Sequence, residues 1–278
     1  MAFLTLQNGR KLYYTEEGSG RPVVLIHGWR SNADRYEAAS RLLAADGNYR
    51  CIRYDQCGHM RSEVPSEPPT LKTLADDLHE IITQMKLEKP ILVGHSMGGM
   101  TILEYIRHYG CEHLDRIVIV DIPPRTINDA DWPYLYFGKR RTLEDTEKAV
   151  ALMQNNFWEA IRNHSINLVP GFSELPKAEQ DAFLKERMLG QDPGVLTSLW
   201  TSFSFRDHRD VLPKIQCPTA IFYAEIRPCC TGEMAQYYLD HIPAPTMAVC
   251  FEGATHSIPL QQPERFAAES LKFFRTVW

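Results

Sequence analysis

The chain has 278 residues, of which 44% are hydrophobic and 23% are charged, and its formal net charge is −5. This length allows one large domain or two small ones around a substantial core. The slight acidity and the lack of a basic stripe argue against a nucleic-acid partner, and no apolar run approaches the ~20 residues of a membrane-spanning helix.

Short apolar runs alternate with amphipathic segments from the N-terminus onward. Residues 3–6 and 11–16 predict a hairpin that turns at Asn8-Gly9. The later apolar runs are continuous, which is typical of strands that are buried on both faces of a parallel sheet. Further strands are predicted at residues 22–27, 49–54, 91–93, 117–121, 219–223 and 247–251, and helices at residues 34–45, 71–86, 101–108, 233–241 and 263–274.

The alternation breaks between residues 122 and 205, where the pattern is helical and rich in aromatic side chains. We therefore expect an α/β protein whose core, residues 1–121 and 206–278, is a mostly parallel central sheet flanked by helices. Residues 122–205 should form a helical cap over the carboxyl edge of that sheet, where open α/β sheets bind ligands. Within this cap we expect Trp132 and Trp158 to line the substrate pocket.

Ser96 is the strongest candidate for a catalytic residue. It is the central serine of Gly94-His95-Ser96-Met97-Gly98, directly after a predicted strand and before a predicted helix. A strand, a tight turn and a helix around such a serine are the setting of a nucleophile elbow. Glycines two positions before and after the serine relieve the crowding of that turn.

A serine hydroxyl needs a base and an acid that orients the base. His256 follows the last predicted strand and a glycine turn, which predicts it as the base. Asp121 ends the strand after the nucleophile helix and is the favoured acid. Glu225, in the loop after the next strand, is the alternative, and Asp55 or the absence of an acid stays open.

The oxyanion of an acyl-transfer intermediate needs two preset N–H donors. We predict the backbone N–H groups of Met97 and of Trp29, which follows His27-Gly28 at the end of an early strand. The Trp29 indole and the His95 side chain should also line the pocket.

In these motifs and their order the chain resembles the α/β-hydrolase fold superfamily, and within it the haloperoxidase-like esterases. The family's usual acid follows its seventh strand, but Arg227 occupies that place here, which supports Asp121. The resemblance implies a serine hydrolase (EC 3.1.1) that acts on a small carboxylic ester, thioester or lactone through an acyl-enzyme.

The same layout is also similar to the cofactor-free quinolone dioxygenases of this fold. That resemblance implies an alternative, in which a His–Asp dyad deprotonates a hydroxylated heteroaromatic that then reacts with dioxygen. A third hypothesis is a non-catalytic ligand receptor on the same fold.

The sequence predicts a small-molecule partner, apolar or aromatic, and neither nucleic acid nor a membrane. We expect no cofactor and no metal ion, and a monomer or homodimer. The seven cysteines are an odd number, and the first residues lack a basic region followed by a long apolar run. Both features favour reduced thiols and a cytoplasmic location over a secreted, disulfide-linked protein.

Overall fold

The structure, a computed structural model, describes residues 2–169 and 171–278. In this part of the chain eight strands form one sheet in the order β1-β2-β4-β3-β5-β6-β7-β8. The strands are β1 Ala2–Thr5, β2 Lys11–Gly18, β3 Arg21–Ile26, β4 Tyr49–Tyr54, β5 Ile91–His95, β6 Arg116–Val120, β7 Thr219–Ala224 and β8 Thr246–Phe251.

The sheet is mostly parallel. The first two strands form the predicted antiparallel hairpin, and β2 also pairs antiparallel with β4. From β4 to β8 all neighbours are parallel. The central strands β5 and β6 are buried at every position, as their mostly apolar sequences predicted. This architecture confirms the predicted α/β-hydrolase fold.

Helices cover both faces of the sheet. Apolar side chains of α1 and α10 form one core with one face of the strands, while those of α2, α3 and α8 form the other. In the described residues the helices are α1 Glu37–Ala45, α2 Leu71–Gln84, α3 Met97–Tyr109, α4 Leu143–Asn155, α5 Phe157–Leu168, α6 Lys177–Arg187, α7 Pro193–Ser204, α8 Gly232–His241, α9 Ile258–Gln261 and α10 Pro263–Arg275.

The register of the parallel strands brings four chain segments to one edge. His95 at the end of β5 pairs with Val120 at the end of β6, and Val120 pairs with Phe222 of β7. Ala224 at the end of β7 pairs with Phe251 at the end of β8. The residues that directly follow these four strands therefore emerge side by side.

Four helices, α4 to α7, lie between β6 and β7. They lie within residues 122–205, the segment that the sequence marks as helical, but residues 122–142 contain no helix. We call residues 122–205 the helical insertion. Its last helix, α7, is fixed at its start by Asp192, whose side chain accepts the backbone N–H of Val195 at 2.8 Å. In the described part of the chain, none of these or the other helices is long and apolar enough to cross a membrane.

Candidate active site

Ser96 lies in a sharp turn between β5 and α3. Its backbone has φ 55° and ψ −122°, a conformation that is strained for a residue with a side chain. The Ser96 N–H donates to Val120 O at 2.9 Å, which anchors the turn to the neighbouring strand. Helix α3 begins at Met97, and the first N–H groups of a helix have no partner within it. The turn therefore has the geometry of the predicted nucleophile elbow.

The glycines of the elbow are required by space. A β-carbon on Gly98 would lie 2.2 Å from Ile26 O, and one on Gly94 would lie 2.4 Å from Gly98 O. Both distances are far below any van der Waals contact. Larger residues at these positions would push α3 away from the sheet and displace Ser96.

His256 and Asp121 form a hydrogen-bonded pair beside this turn. His256 Nδ1 donates to Asp121 Oδ2 at 2.7 Å. The carboxylate is fully buried and the imidazole is 14% exposed. Ser96 and His256 line the same pocket. Within the described residues the Ser96 hydroxyl makes no hydrogen bond, so it is free to approach either the imidazole or a substrate.

Backbone N–H groups hold the Asp121 carboxylate in place. Oδ1 accepts from Ala224 N at 3.3 Å and from Cys230 N at 3.2 Å, while Oδ2 accepts from Cys229 N at 3.1 Å. Asp121 itself has φ 47°, in the left-handed region. Burial of the two cysteine thiols, and then the charge of Asp121, raise the pKa of both well above the ordinary value. The pair Cys229-Cys230 thus serves the site through its main chain.

The two alternative acids lie in other environments. Glu225 is exposed and accepts the Gly253 N–H at 2.8 Å, which braces the loop that carries His256. Asp55 is buried, accepts the Ala33 N–H at 2.7 Å and forms an ion pair with Arg61 at 2.6 Å. Neither carboxylate forms a hydrogen bond with an imidazole of the pocket, so Asp121 stays the candidate acid.

The loop after β3 carries the second predicted oxyanion donor. A β-carbon on Gly28 would lie 3.0 Å from the Ser96 β-carbon, so glycine permits this close approach. Burial lowers the pKa of His27 to about 4, and the neutral ring accepts the Gln56 N–H at 2.9 Å. The Gln56 side chain in turn donates to His27 O at 2.6 Å. These bonds fix the loop that presents the Trp29 N–H.

Trp29 and His95 line the pocket, as the sequence predicted. The Trp29 indole donates to Leu196 O in α7 at 2.9 Å, which joins the loop after β3 to the helical insertion. Burial lowers the pKa of His95 well below its ordinary value. The neutral ring donates through Nε2 to His256 O at 2.6 Å and so holds the main chain of the candidate base.

The structure places the other two predicted pocket residues elsewhere. Trp132 is fully buried, and its ring packs against Tyr134 and Tyr237 at 4.7 and 4.9 Å. Trp158 is 44% exposed and contacts Phe157. Neither belongs to the pocket lining, so we remove both from the candidate site. Other aromatic residues of the helical insertion supply its walls: Tyr136, Phe137, His164, Phe183, Trp200 and Phe203.

The described residues contain no cluster of three or more His, Cys, Asp or Glu side chains that could hold a metal ion. The groups that the site brings together are a hydroxyl, an imidazole–carboxylate pair and N–H donors. Such a set suits nucleophilic acyl transfer or proton abstraction.

A family model described as the alpha/beta hydrolase fold matches residues 21–178, which is more than half of the chain. The chain belongs to this family. A putative non-heme chloroperoxidase from Synechocystis sp. is 31% identical to it over 77% of this chain and 76% of the relative. A non-heme chloroperoxidase from Kitasatospora aureofaciens is 28% identical over 98% of this chain and 99% of its own.

Among solved structures, an esterase from Exiguobacterium antarcticum covers 99% of both chains with a TM-score of 0.81 and 25% identity. These relatives place this hydrolase-family chain in the haloperoxidase-like group, which confirms the resemblance inferred from its motifs.

Proposed function

We propose that the chain is a serine hydrolase that cleaves a small carboxylic ester, thioester or lactone. The observation that carries this proposal is the hydrogen bond from His256 Nδ1 to the buried Asp121, in a pocket that the strained Ser96 turn also lines. That bond leaves Nε2 of a neutral imidazole unprotonated and able to accept a proton. Helices α4 to α7 act as the cap of the pocket.

In the proposed reaction His256 Nε2 takes the proton of the Ser96 hydroxyl as Oγ attacks the carbonyl carbon. The N–H groups of Met97 and Trp29 stabilise the resulting oxyanion, and each such donor contributes ~10²–10³ in rate. The imidazolium then gives its proton to the leaving group. Water, deprotonated by the same imidazole, releases the acid product and restores the serine.

A second candidate is the cofactor-independent dioxygenation of a hydroxylated heteroaromatic. The ring centroids of Trp29 and Trp200 lie 4.6 Å apart, and both rings line the pocket. Such an aromatic wall favours contact with a flat ring of the substrate. In that reaction the His256–Asp121 pair would deprotonate the ring hydroxyl, and Ser96 would be dispensable. Peroxide-dependent halogenation, which the names of two relatives suggest, would be a side activity of the serine site.

Variants of Ser96 and His256 separate the two candidates. We expect Ser96→Ala and His256→Ala each to lower the hydrolysis of 4-nitrophenyl acetate by ~10³-fold or more. Dioxygenation of a 3-hydroxyquinolone, followed by oxygen uptake, would instead survive Ser96→Ala.

A fluorophosphonate probe provides a readout that is independent of the substrate. It should label the wild type and Ser257→Ala, whose serine lies in the same pocket. It should not label Ser96→Ala. Failure to label the wild type would contradict the serine mechanism and favour a receptor.

A further inference from the structure

Three arginines, Arg30, Arg35 and Arg187, line the pocket that holds Ser96 and His256. No aspartate or glutamate is among the described residues of that lining, although the whole chain carries a net charge of −5. None of the three arginines forms an ion pair with another described residue. The pocket wall therefore concentrates positive charge without a counter-ion from the protein.

The arginines are held by weak or apolar contacts. The Arg30 guanidinium lies 5.5 Å from the centre of the Trp29 ring, and its buried Nε has no hydrogen-bond partner among the described residues. Arg187 lies 4.9 Å from the Phe183 ring. Arg35 donates through Nε to Ser31 Oγ at 3.3 Å. Most of their N–H donors remain available to a ligand.

The electrostatics of the cluster are unfavourable when no anion is bound. Burial, and then the charge of Arg187, lower the pKa of Arg30 to about 10. The same two causes lower the pKa of Arg35. Arg30 also has φ 55°, in the left-handed region that a residue with a side chain rarely adopts. Charge repulsion and backbone strain at one residue are typical of a binding site.

We propose that this arginine cluster binds a carboxylate of the substrate, so that the preferred ester or lactone carries a second, anionic group. This inference rests on the proposed hydrolase function and deepens it. Guanidinium groups match a carboxylate with paired N–H donors, and a partly buried site strengthens such bonds.

The position of Arg30 places the proposed carboxylate site next to the proposed oxyanion donor. It directly follows Trp29, whose N–H is the proposed oxyanion donor. Adjacent α-carbons are about 3.8 Å apart, and the Arg30 side chain extends several bonds beyond its α-carbon, so carboxylates at different distances from the scissile carbonyl should be compared. Arg187 comes from α6 of the helical insertion, which would let an anion bridge the core and the insertion.

Two pairs of esters test the proposal on either side of the scissile bond. The first compares 4-nitrophenyl hydrogen glutarate with 4-nitrophenyl valerate, which has the same acyl length. The second compares 4-acetoxybenzoate with 4-acetoxybenzamide. Rates without enzyme are subtracted, because glutarate monoesters also cyclise spontaneously. We expect kcat/KM to favour the anionic ester in at least one pair.

Arginine variants then show whether the cluster causes this preference. Arg30→Gln should lower the anionic-to-neutral ratio of kcat/KM by about ten- to hundredfold, as expected for hydrogen bonds to a charged group. Arg187→Gln should lower it by about two- to fivefold, because Arg187 is exposed. Glutamine keeps a β-carbon at position 30 and therefore the same backbone strain. Arg41→Gln, on the exposed face of α1, changes the net charge equally and should leave the ratio unaltered.

A binding measurement keeps the test independent of turnover. The Ser96→Ala protein should show a higher Tm in glutarate than in sodium chloride of equal ionic strength, and Arg30→Gln should remove the difference. The anion site would be overturned if neither ester pair showed a charge preference, or if Arg41→Gln lowered the ratio as much as Arg30→Gln. Hydrolysis of the neutral esters would still support the hydrolase function in that case. If the wild type showed no hydrolysis that depends on Ser96, the proposed function would be overturned. The Tm shift in glutarate would still show whether the arginine cluster binds a carboxylate.

Discussion

Replacement of Asp121 by asparagine is the sharpest test of the proposed acid, because the structure predicts how the amide will orient. Oδ1 accepts two backbone N–H groups, whereas Oδ2 accepts the Cys229 N–H and His256 Nδ1. An amide NH₂ at the Oδ1 position would leave two buried donors unpaired. At the Oδ2 position it would leave one backbone donor unpaired.

Each unpaired buried donor costs about 1–3 kcal/mol. The NH₂ should therefore face His256 by a margin of about 1–3 kcal/mol, which corresponds to roughly a five- to hundredfold preference. Nδ1 must then act as an acceptor, so the ring proton moves to Nε2 and the base can no longer take the proton of Ser96. The same change in a serine protease triad lowers kcat by ~10⁴-fold, or about 5.5 kcal/mol.

The assay follows the hydrolysis of a 4-nitrophenyl ester and compares kcat/KM between Asp121→Asn and its matched control, Glu225→Gln. We expect a loss of ~10³–10⁴-fold for the first variant and less than about threefold for the second. Circular dichroism and urea unfolding verify that both variants fold, with Asp121→Asn less stable by about 1–3 kcal/mol. If Asp121→Asn keeps activity within about tenfold of the wild type and Glu225→Gln loses it, Glu225 is the acid and the reasoning fails.

Three further changes test other parts of the site. Gly98→Ala should lower the free energy of unfolding by more than about 3 kcal/mol in urea, because its β-carbon would lie 2.2 Å from a carbonyl oxygen of β3. Gly232→Ala, whose β-carbon would have its nearest neighbour at 3.6 Å, should be tolerated. Burial lowers the pKa of His27 to about 4. A histidine of the unfolded chain titrates at ~6.5. The contribution of neutral His27 to the free energy of unfolding is therefore complete above that pH and is lost as the pH falls toward 4. The wild type should lose about 2 kcal/mol more than His27→Gln between pH 7.5 and 5, and equal losses would contradict this account. Trp29→Phe removes the 2.9 Å bond to Leu196 O. It should lower kcat/KM roughly fivefold and speed hydrogen exchange in α7, whereas unchanged exchange would show that the bond does not hold the insertion.

The catalytic candidates could be predicted from the sequence because each one follows a recognisable strand. Ser96, Asp121 and His256 come directly or shortly after β5, β6 and β8, and parallel strands end at one edge. The helix after Ser96 starts earlier than the predicted residue 101. Gly98 and Gly99 have low helix propensity, so packing against the sheet determines that first turn.

Contacts between distant segments could not be predicted in this way. Trp132 and Trp158 are as compatible with a buried core or a surface as with a pocket wall, because an aromatic residue in a helical pattern does not reveal what it faces. The arginine cluster joins Arg30 and Arg35 to Arg187, about 150 positions later in the chain. These charges come together only because the fold brings the end of α6 and the loop after β3 to one pocket.

The hydrogen bonds to Asp121 from positions 229 and 230 have a consequence for how this site can evolve. Because the donors are main-chain amides, any small side chain that fits the enclosed space at these two fully buried positions can replace the thiols without loss of the hydrogen bonds. Only proline lacks the required hydrogen. Substitutions in the 225–230 loop can therefore change the side chains around Asp121 while the main-chain hydrogen bonds to its carboxylate are kept.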